Sequence, residues 1–153
     1  MIYQQHYAKV FRLCKGYFNG EVETANDMVQ EIFIRVWQNL DGFRNESSIS
    51  TWIYQISVNC CLLHIRKPYM KKEIRLHEMP IVVQEEYDPV NEERLRKMYR
   101  CIGQLEEVSK LIILLVLEGV KYQEIAGVIG ITEDTLRVRI HRIKTSLANC
   151  VKL

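Results

Sequence analysis

The chain has 153 residues, 48% of them apolar and 26% charged, a balance typical of a globular protein with real cores and room for one domain or two small ones. Three prolines and seven glycines exclude a low-complexity or collagenous class, and the longest apolar run, Leu111–Leu117, is far too short to cross a bilayer. The net charge of +2 is unevenly spread: residues 1–67 carry seven Lys and Arg against six Asp and Glu, residues 68–94 four against seven, and residues 95–153 ten against six, a near-neutral front, an acidic middle and a basic end.

No β alternation is long enough to predict a strand, whereas helical spacing recurs. A first helix is expected over Ile2–Phe18, stopped near Asn19-Gly20. In the second, Thr24 with Asp27 resembles a capping box, and Ala25, Met28, Val29, Ile32, Phe33, Val36, Trp37 and Leu40 form a broad stripe that needs burial. Asp41-Gly42 ends it, and the polar loop "RNESS" follows. Ile49, Trp52, Ile53, Ile56, Cys60 and Leu63 then mark a third helix, ended by Pro68.

Residues 1–68 therefore read as one helical domain. Residues 69–94, with "QEEYDPVNEE" and its Asp-Pro, read as a flexible acidic linker. From Arg94 the helical spacing resumes with Leu95, Met98, Tyr99, Ile102 and Leu105. Ser109 is a candidate cap for a short helix through Leu117, with Gly119 just past its end. The expected fold is all-α: two small helical bundles, 1–68 and 95–153, joined by that linker.

The last two segments, "YQEIAGVI" and "ITEDTLRVRIHRIKTSL", are separated only by a tight turn, which predicts a helix-turn-helix in the C-terminal bundle. Ile125, Ala126 and Ile129 give its first helix an inward face, Gly130 can take the left-handed turn conformation, and Ile131 plugs the corner. Thr132 can cap the second helix, with Glu133 and Asp134 at its positive end. Leu136, Ile140, Ile143 and Leu147 form the inward stripe, which leaves Thr135, Val138, His141 and Arg142 outward and Arg137 and Arg139 on the flanks. Cations alone would suit any solvated helix. With the small Ala, the Gly and the cap, they fit a helix that enters the DNA major groove.

The five cysteines, Cys14, Cys60, Cys61, Cys101 and Cys150, are odd in number and lack CxxC spacing, so buried free thiols are expected rather than a zinc site or disulfides. His6, His64, His77 and His141 lack metal-ligand spacing, and no metal or other cofactor is expected. Cys60 and His64 lie one helical turn apart, but no orienting or oxyanion group accompanies them, so no catalytic residues are assigned and an enzyme is not expected. No secretory signal is read, and a cytoplasmic protein without direct membrane insertion is expected.

Two stretches resemble a family. "NDMVQEIFIRVWQNLDGFRNESSISTWIYQISVN" resembles the D-x-x-Q-E-x-F … W … F-x-x-E-S … T-W-x-Y-x-I pattern of small, extracytoplasmic-function sigma factors of the sigma-70 family. "LEGVKYQEIAGVIGITEDTLRVRIHRIKTSL" is similar to the family's second signature, E-G-x-S-Y-x-E-I-A-x-x-L-G-I-S-x-x-T-V-x-x-R-x-H-R-A. The resemblance implies a non-enzymatic subunit that binds core RNA polymerase through its β′ and β subunits. Its first domain would recognise and melt the promoter −10 element, and its second would read the −35 element as duplex.

Residue by residue, the resemblance places Asp27, Gln30, Glu31, Arg35 and Gln38 against the clamp helices of the polymerase's largest subunit. It places Asn45, Glu46, Ser47, Ser48, Ser50, Thr51, Tyr54, Gln55 and Asn59 at the −10 element, where hydroxyls, amides and rings can hold unpaired bases. Thr132, Thr135, Arg137, Val138, Arg139, His141 and Arg142 would meet the −35 element. An anti-sigma partner, able to hold the protein at the inner membrane, is also implied. Gln55, Val58, Leu63 and Val138 depart from residues common in the family, so the promoter sequence does not carry over. The rival readings are a helix-turn-helix regulator acting without polymerase and a helical adaptor that binds no DNA.

Overall fold

The computed structural model describes residues 2–66 and 89–152, and the greater part of the predicted linker lies outside them. All regular structure among the described residues is helical. In the first half, α1 spans Ile2–Tyr17, α2 Val22–Asn39 and α3 Ile49–Arg66, with a short 3-10 turn, Leu40–Gly42, after α2. In the second half, α4 spans Pro89–Gly103, α5 Glu107–Leu117, α6 Tyr122–Ile129 and α7 Glu133–Lys152. The first half packs α1 on α2 and α3, and the second packs α7 across α4, α5 and α6.

Several local expectations change. Helix α2 begins at Val22 with Glu21 as its N-cap residue, and Thr24 Oγ1 donates to Glu21 Oε2 at 3.1 Å. Thr24 therefore lies inside the first turn and forms no capping box. Trp37, predicted inward, is 77% exposed. Residues 29, 33 and 37 follow an i+4 row that drifts around the helix, and by the last turn the row has left the face that buries Met28, Ile32 and Val36. Leu63, also predicted inward, is exposed near the end of α3.

Helix α4 starts at Pro89, within the predicted linker and five residues before Arg94. A proline fits the first helical position, where its missing N–H would have no partner. Helix α5 starts at Glu107 without a side-chain cap, so Ser109 is an interior residue. It ends as expected at Gly119, φ +77°: Val120 N–H donates to Leu115 O and Gly119 N–H to Val116 O, the paired bonds of a Schellman stop.

The two halves do not stand apart. Helix α1 packs on α5 and α4, and α3 packs on α6, so one apolar core runs through both. Gly16 lets α1 approach closely, because a Cβ there would meet the Leu114 side chain. At the rim Arg12 Nε and Nη2 donate to the two carboxylate oxygens of Glu118 at 2.7 and 2.8 Å. Deeper in the junction Lys110 is 7% exposed. Its Nζ lies 3.5 Å from Glu107 Oε1 and 5.6 Å from the Tyr17 ring centroid. The Tyr17 hydroxyl and Glu107 Oε2 are buried there without a close hydrogen bond among the described residues, and burial with the adjacent Glu107 carboxylate pushes the phenol well above its usual range. The contact is thus apolar at its centre with polar groups that gain little from being dry.

Leu115 is fully buried in α5. Leu115→Ala is expected to lower unfolding stability by about 2–5 kcal/mol, read from urea unfolding followed by circular dichroism. A loss below about 1 kcal/mol would contradict the packing described here.

Candidate functional site

The turn between α6 and α7 forms as its sequence dictates. Gly130 has φ +86° and ψ 34°, and its N–H and that of Ile131 both donate to Ala126 O. Thr132 Oγ1 accepts the Thr135 N–H at 3.2 Å and donates to Thr135 Oγ1 at 2.8 Å, so Thr132 caps α7. Leu136, Ile140, Ile143 and Leu147 are buried. On the first helix of the pair Ile125, Ala126 and Val128 are buried. Val128 replaces Ile129 as the third inward residue, and Ile129 is half-buried.

The outer face of α7 is open. Thr132, Thr135, Arg137, Val138, His141 and Arg142 are exposed, and Arg139 is half-buried. The cations are not equivalent. Arg137 Nη2 lies 2.7 Å from Glu133 Oε1, and its guanidinium sits 5.4 Å from the Tyr122 ring centroid. Arg137 is thereby held beside the helix start, whereas Arg139, Arg142 and Lys144 make no ion pair with any described residue. Tyr122 as a platform for Arg137 was missed in the sequence, because it comes from the neighbouring helix.

The second cluster surrounds the start of α3. Asn45 takes φ +56°, and Ser48 Oγ accepts the Thr51 N–H at 3.1 Å. Ser48 therefore caps α3 as well as lining its exposed entry. Asn45, Glu46, Ser47, Ser48, Gln55 and Asn59 are exposed, and Ser50 and Thr51 are half-buried. Ser50 Oγ lies 3.5 Å from His6 Nδ1. Trp52 is half-buried with its ring 5.0 Å from that of Phe43.

Tyr54 differs from the rest of its set in the packed chain. Predicted on the nucleic-acid face, it is only 4% exposed. Burial pushes its phenol up to about 12; Glu118 adds to that shift and Arg12 opposes it. The side chain thus lies beside the ion pair that joins the two halves. Its place on α3 is the side that packs inward, between Ile53 and Ser57. Val58 is also buried, so this departure from the family pattern is a core residue.

On α2 the predicted partner residues share a surface. Asp27 and Gln38 are exposed, and Gln30, Glu31 and Arg35 are half-buried. Arg35 Nη2 donates to Glu31 Oε1 at 3.1 Å, and Asn39 Nδ2 to Arg35 O at 2.8 Å. Trp37 adds a large exposed ring to this end of the helix, which the periodicity alone had assigned inward.

The Cys60–His64 pair does not form a reactive couple. Cys60 is buried, which pushes its thiol up to about 11, and His64 turns edge-on to Phe18 with centroids 5.0 Å apart. No cluster of His, Cys, Asp or Glu among the described residues is placed to hold a metal. No helix there is long and apolar enough to cross a membrane.

Known proteins match both clusters. The Sigma-70 region 2 family matches residues 2–68 and the Sigma-70, region 4 family residues 95–147. The chain is 33% identical over 139 residues to the ECF RNA polymerase sigma-E factor of Escherichia coli strain K12, covering 82% of this chain and 73% of that protein. Two solved structures share the fold. One is the sigma factor RpoE in complex with the anti-sigma factor NepR from Bartonella quintana, with TM-score 0.71 and 18% identity over 98% of this chain and 96% of that one. The other is CnrH in complex with the cytosolic domain of CnrY, with TM-score 0.72 and 18% identity over 98% of this chain and 84% of that one.

Thr132→Ala removes the cap of α7 and should destabilise the C-terminal bundle by about 1 kcal/mol, with Thr132→Ser largely neutral. Equal melting temperatures for wild type and the Ala variant would show that the cap contributes nothing.

Proposed function

We infer the working of this chain from the premise that it belongs to the extracytoplasmic-function group of RNA polymerase sigma factors. It binds core RNA polymerase and promoter DNA and directs promoter-specific transcription initiation. The observation that carries the reading is the combination, in one chain, of an open, cation-bearing α7 behind a Gly130 turn with an exposed Ser- and Asn-rich entry to α3. A regulator acting without polymerase needs the first and has no use for the second. No covalent step is required, and a cytoplasmic location follows from work at the polymerase.

The site assignments rest on the family resemblance, and the chemistry of the residues suits them. Asp27, Gln30, Glu31, Arg35 and Gln38, now with Trp37 beside them, form the face offered to the polymerase. The exposed members of the Asn45–Asn59 set hold separated bases of the −10 element. On α7, Arg139 and Arg142 hold phosphates while Thr135, Val138 and His141 reach base edges. Arg137 contributes from its fixed place over Tyr122. An anti-sigma partner is supported by two structures of the same fold: the sigma factor RpoE is bound to the anti-sigma factor NepR, and CnrH is bound to the cytosolic domain of CnrY.

Both elements cannot be read from the packed arrangement. Positions −10 and −35 are about 85 Å apart at ~3.4 Å per base pair along the duplex, whereas a compact chain of this length has a radius of gyration of about 15 Å. The halves therefore separate on the promoter, which breaks the Arg12–Glu118 pair and frees Tyr54 to join the −10 set. Residues 67–88 span at most about 70–80 Å when extended, enough to permit this. The pair is half-open to water at Arg12 although Glu118 is only 11% exposed, so solvent screens it in part and the junction can open under binding energy.

Transcription with purified chain, core polymerase and a promoter library tests the reading: start sites should depend on promoter sequence. DNA binding without initiation would establish the regulator instead. Arg142→Ala is expected to weaken −35 binding and lower the slope of log affinity against log salt by about 0.9. An unchanged slope in a salt titration would remove Arg142 from the phosphate contacts. Glu118→Arg should increase the radius of gyration seen by small-angle scattering, and Arg12→Glu in the same chain should restore the compact value. No change in either variant would show that the pair does not hold the junction.

A further inference from the structure

Buried free thiols were expected at all five cysteines, and two of them are not free. Cys101 in the last turn of α4 and Cys150 in the last turn of α7 are joined by a disulfide, with Cα atoms 5.8 Å apart. The chain between them is long, a separation of 49 residues. It includes α5, α6, the Gly130 turn and the whole exposed face of α7. The two sulfurs differ in access: Cys101 is buried and Cys150 half-buried. Gln104 Oε1 lies 3.8 Å from Cys150 Sγ, an acceptor that suits the thiol form. Cys14, Cys60 and Cys61 are free and buried in the other half.

We propose that Cys101 and Cys150 are a reversible redox site that cross-links the last turn of the recognition helix α7 to α4 when oxidised and frees both thiols when reduced. The half-buried Cys150 is the entry point. Its thiolate attacks a hydroperoxide, whose O–O bond breaks to give a sulfenic acid on Cys150 and an alcohol or water. The Cys101 thiol then displaces the hydroxyl as water and forms the S–S bond. Together the two thiols lose two protons and two electrons, and the peroxide is reduced by the same two electrons. A dithiol reductant reverses the step by thiol–disulfide exchange at Cys150 and is itself oxidised.

The bond leaves the DNA face open. Arg142 is eight residues before Cys150, about 12 Å along the helix. Its effect is on stability: a cross-link closing so long a loop restricts the unfolded chain and suppresses fraying of the last turns of α7. Oxidation should therefore extend the temperature range over which the C-terminal bundle holds its DNA-reading shape.

The test uses the full chain and needs neither polymerase nor promoter, so its outcome is separate from that of the sigma-factor reading. Reduced protein is treated with hydrogen peroxide, then with dithiothreitol, and equilibrated over a series of glutathione redox ratios. The expected result is a loss of two hydrogens in intact mass and one cross-linked peptide pair carrying Cys101 and Cys150. Tm should rise by roughly 5 °C or more, fully reversed by the dithiol. Both forms should be populated within the glutathione series. Cys150→Ser and, as a second variant, Cys101→Ala should keep the far-ultraviolet spectrum and lose the cross-link and the shift. A pair reduced at every ratio, one oxidised at every ratio, a cross-link to another cysteine, or a bond that leaves Tm unchanged would each overturn the proposal.

Discussion

Arg12 and Glu118 meet through two charge-assisted hydrogen bonds across the junction of α1 and α5, and the functional surfaces are divided by what that junction covers. Tyr54 lies beneath it, while the entry to α3 and the outer face of α7 lie outside it. Close packing of Gly16 on Leu114 supplies the apolar part of the contact. Lys110, Glu107 and Tyr17 supply a buried polar part whose groups meet only loosely. Such groups regain water when the halves part, which offsets much of the apolar loss. A junction of this composition suits a contact that is made and broken.

The helix pair at the C-terminal end was the most legible part of the sequence, because its signals are local. Gly130 is needed for a left-handed turn, Thr132 for a cap, and Leu136, Ile140, Ile143 and Leu147 for a stripe. Each acts within a few residues of itself. The same reasoning failed where a residue's fate depends on a distant partner. Tyr54 was grouped with the hydroxyls and amides of α3, yet it is buried, close enough to Glu118 and Arg12 at the junction for both to act on its phenol. Trp37 continues an apolar row, yet it is exposed because by the last turn of α2 that row has left the face that packs. Cys101 and Cys150 carry no spacing signal, and only the packing of α7 on α4 brings them together.

The two surfaces differ in chemistry, and under the proposed function each suits a different form of DNA. Helix α7 presents cations, of which Arg137 alone is held in place, and short side chains along a regular helix, which suits an intact groove. The entry to α3 presents hydroxyls and amides from a turn with Asn45 in the left-handed region, which suits bases already out of the stack. The family relationship assigns both to one initiation factor. The geometry adds that α3 and α6 touch in the packed chain, so a closed molecule holds its two readers together and an open one can place them apart.

The most direct measurement is the distance between fluorophores on Gln55 of α3 and Ser146 of α7, followed as core polymerase and then promoter are added. The account predicts a short distance in the free chain and a lengthening by tens of ångströms on the promoter complex that goes on to initiate. A distance that stays short in complexes that initiate transcription would contradict it.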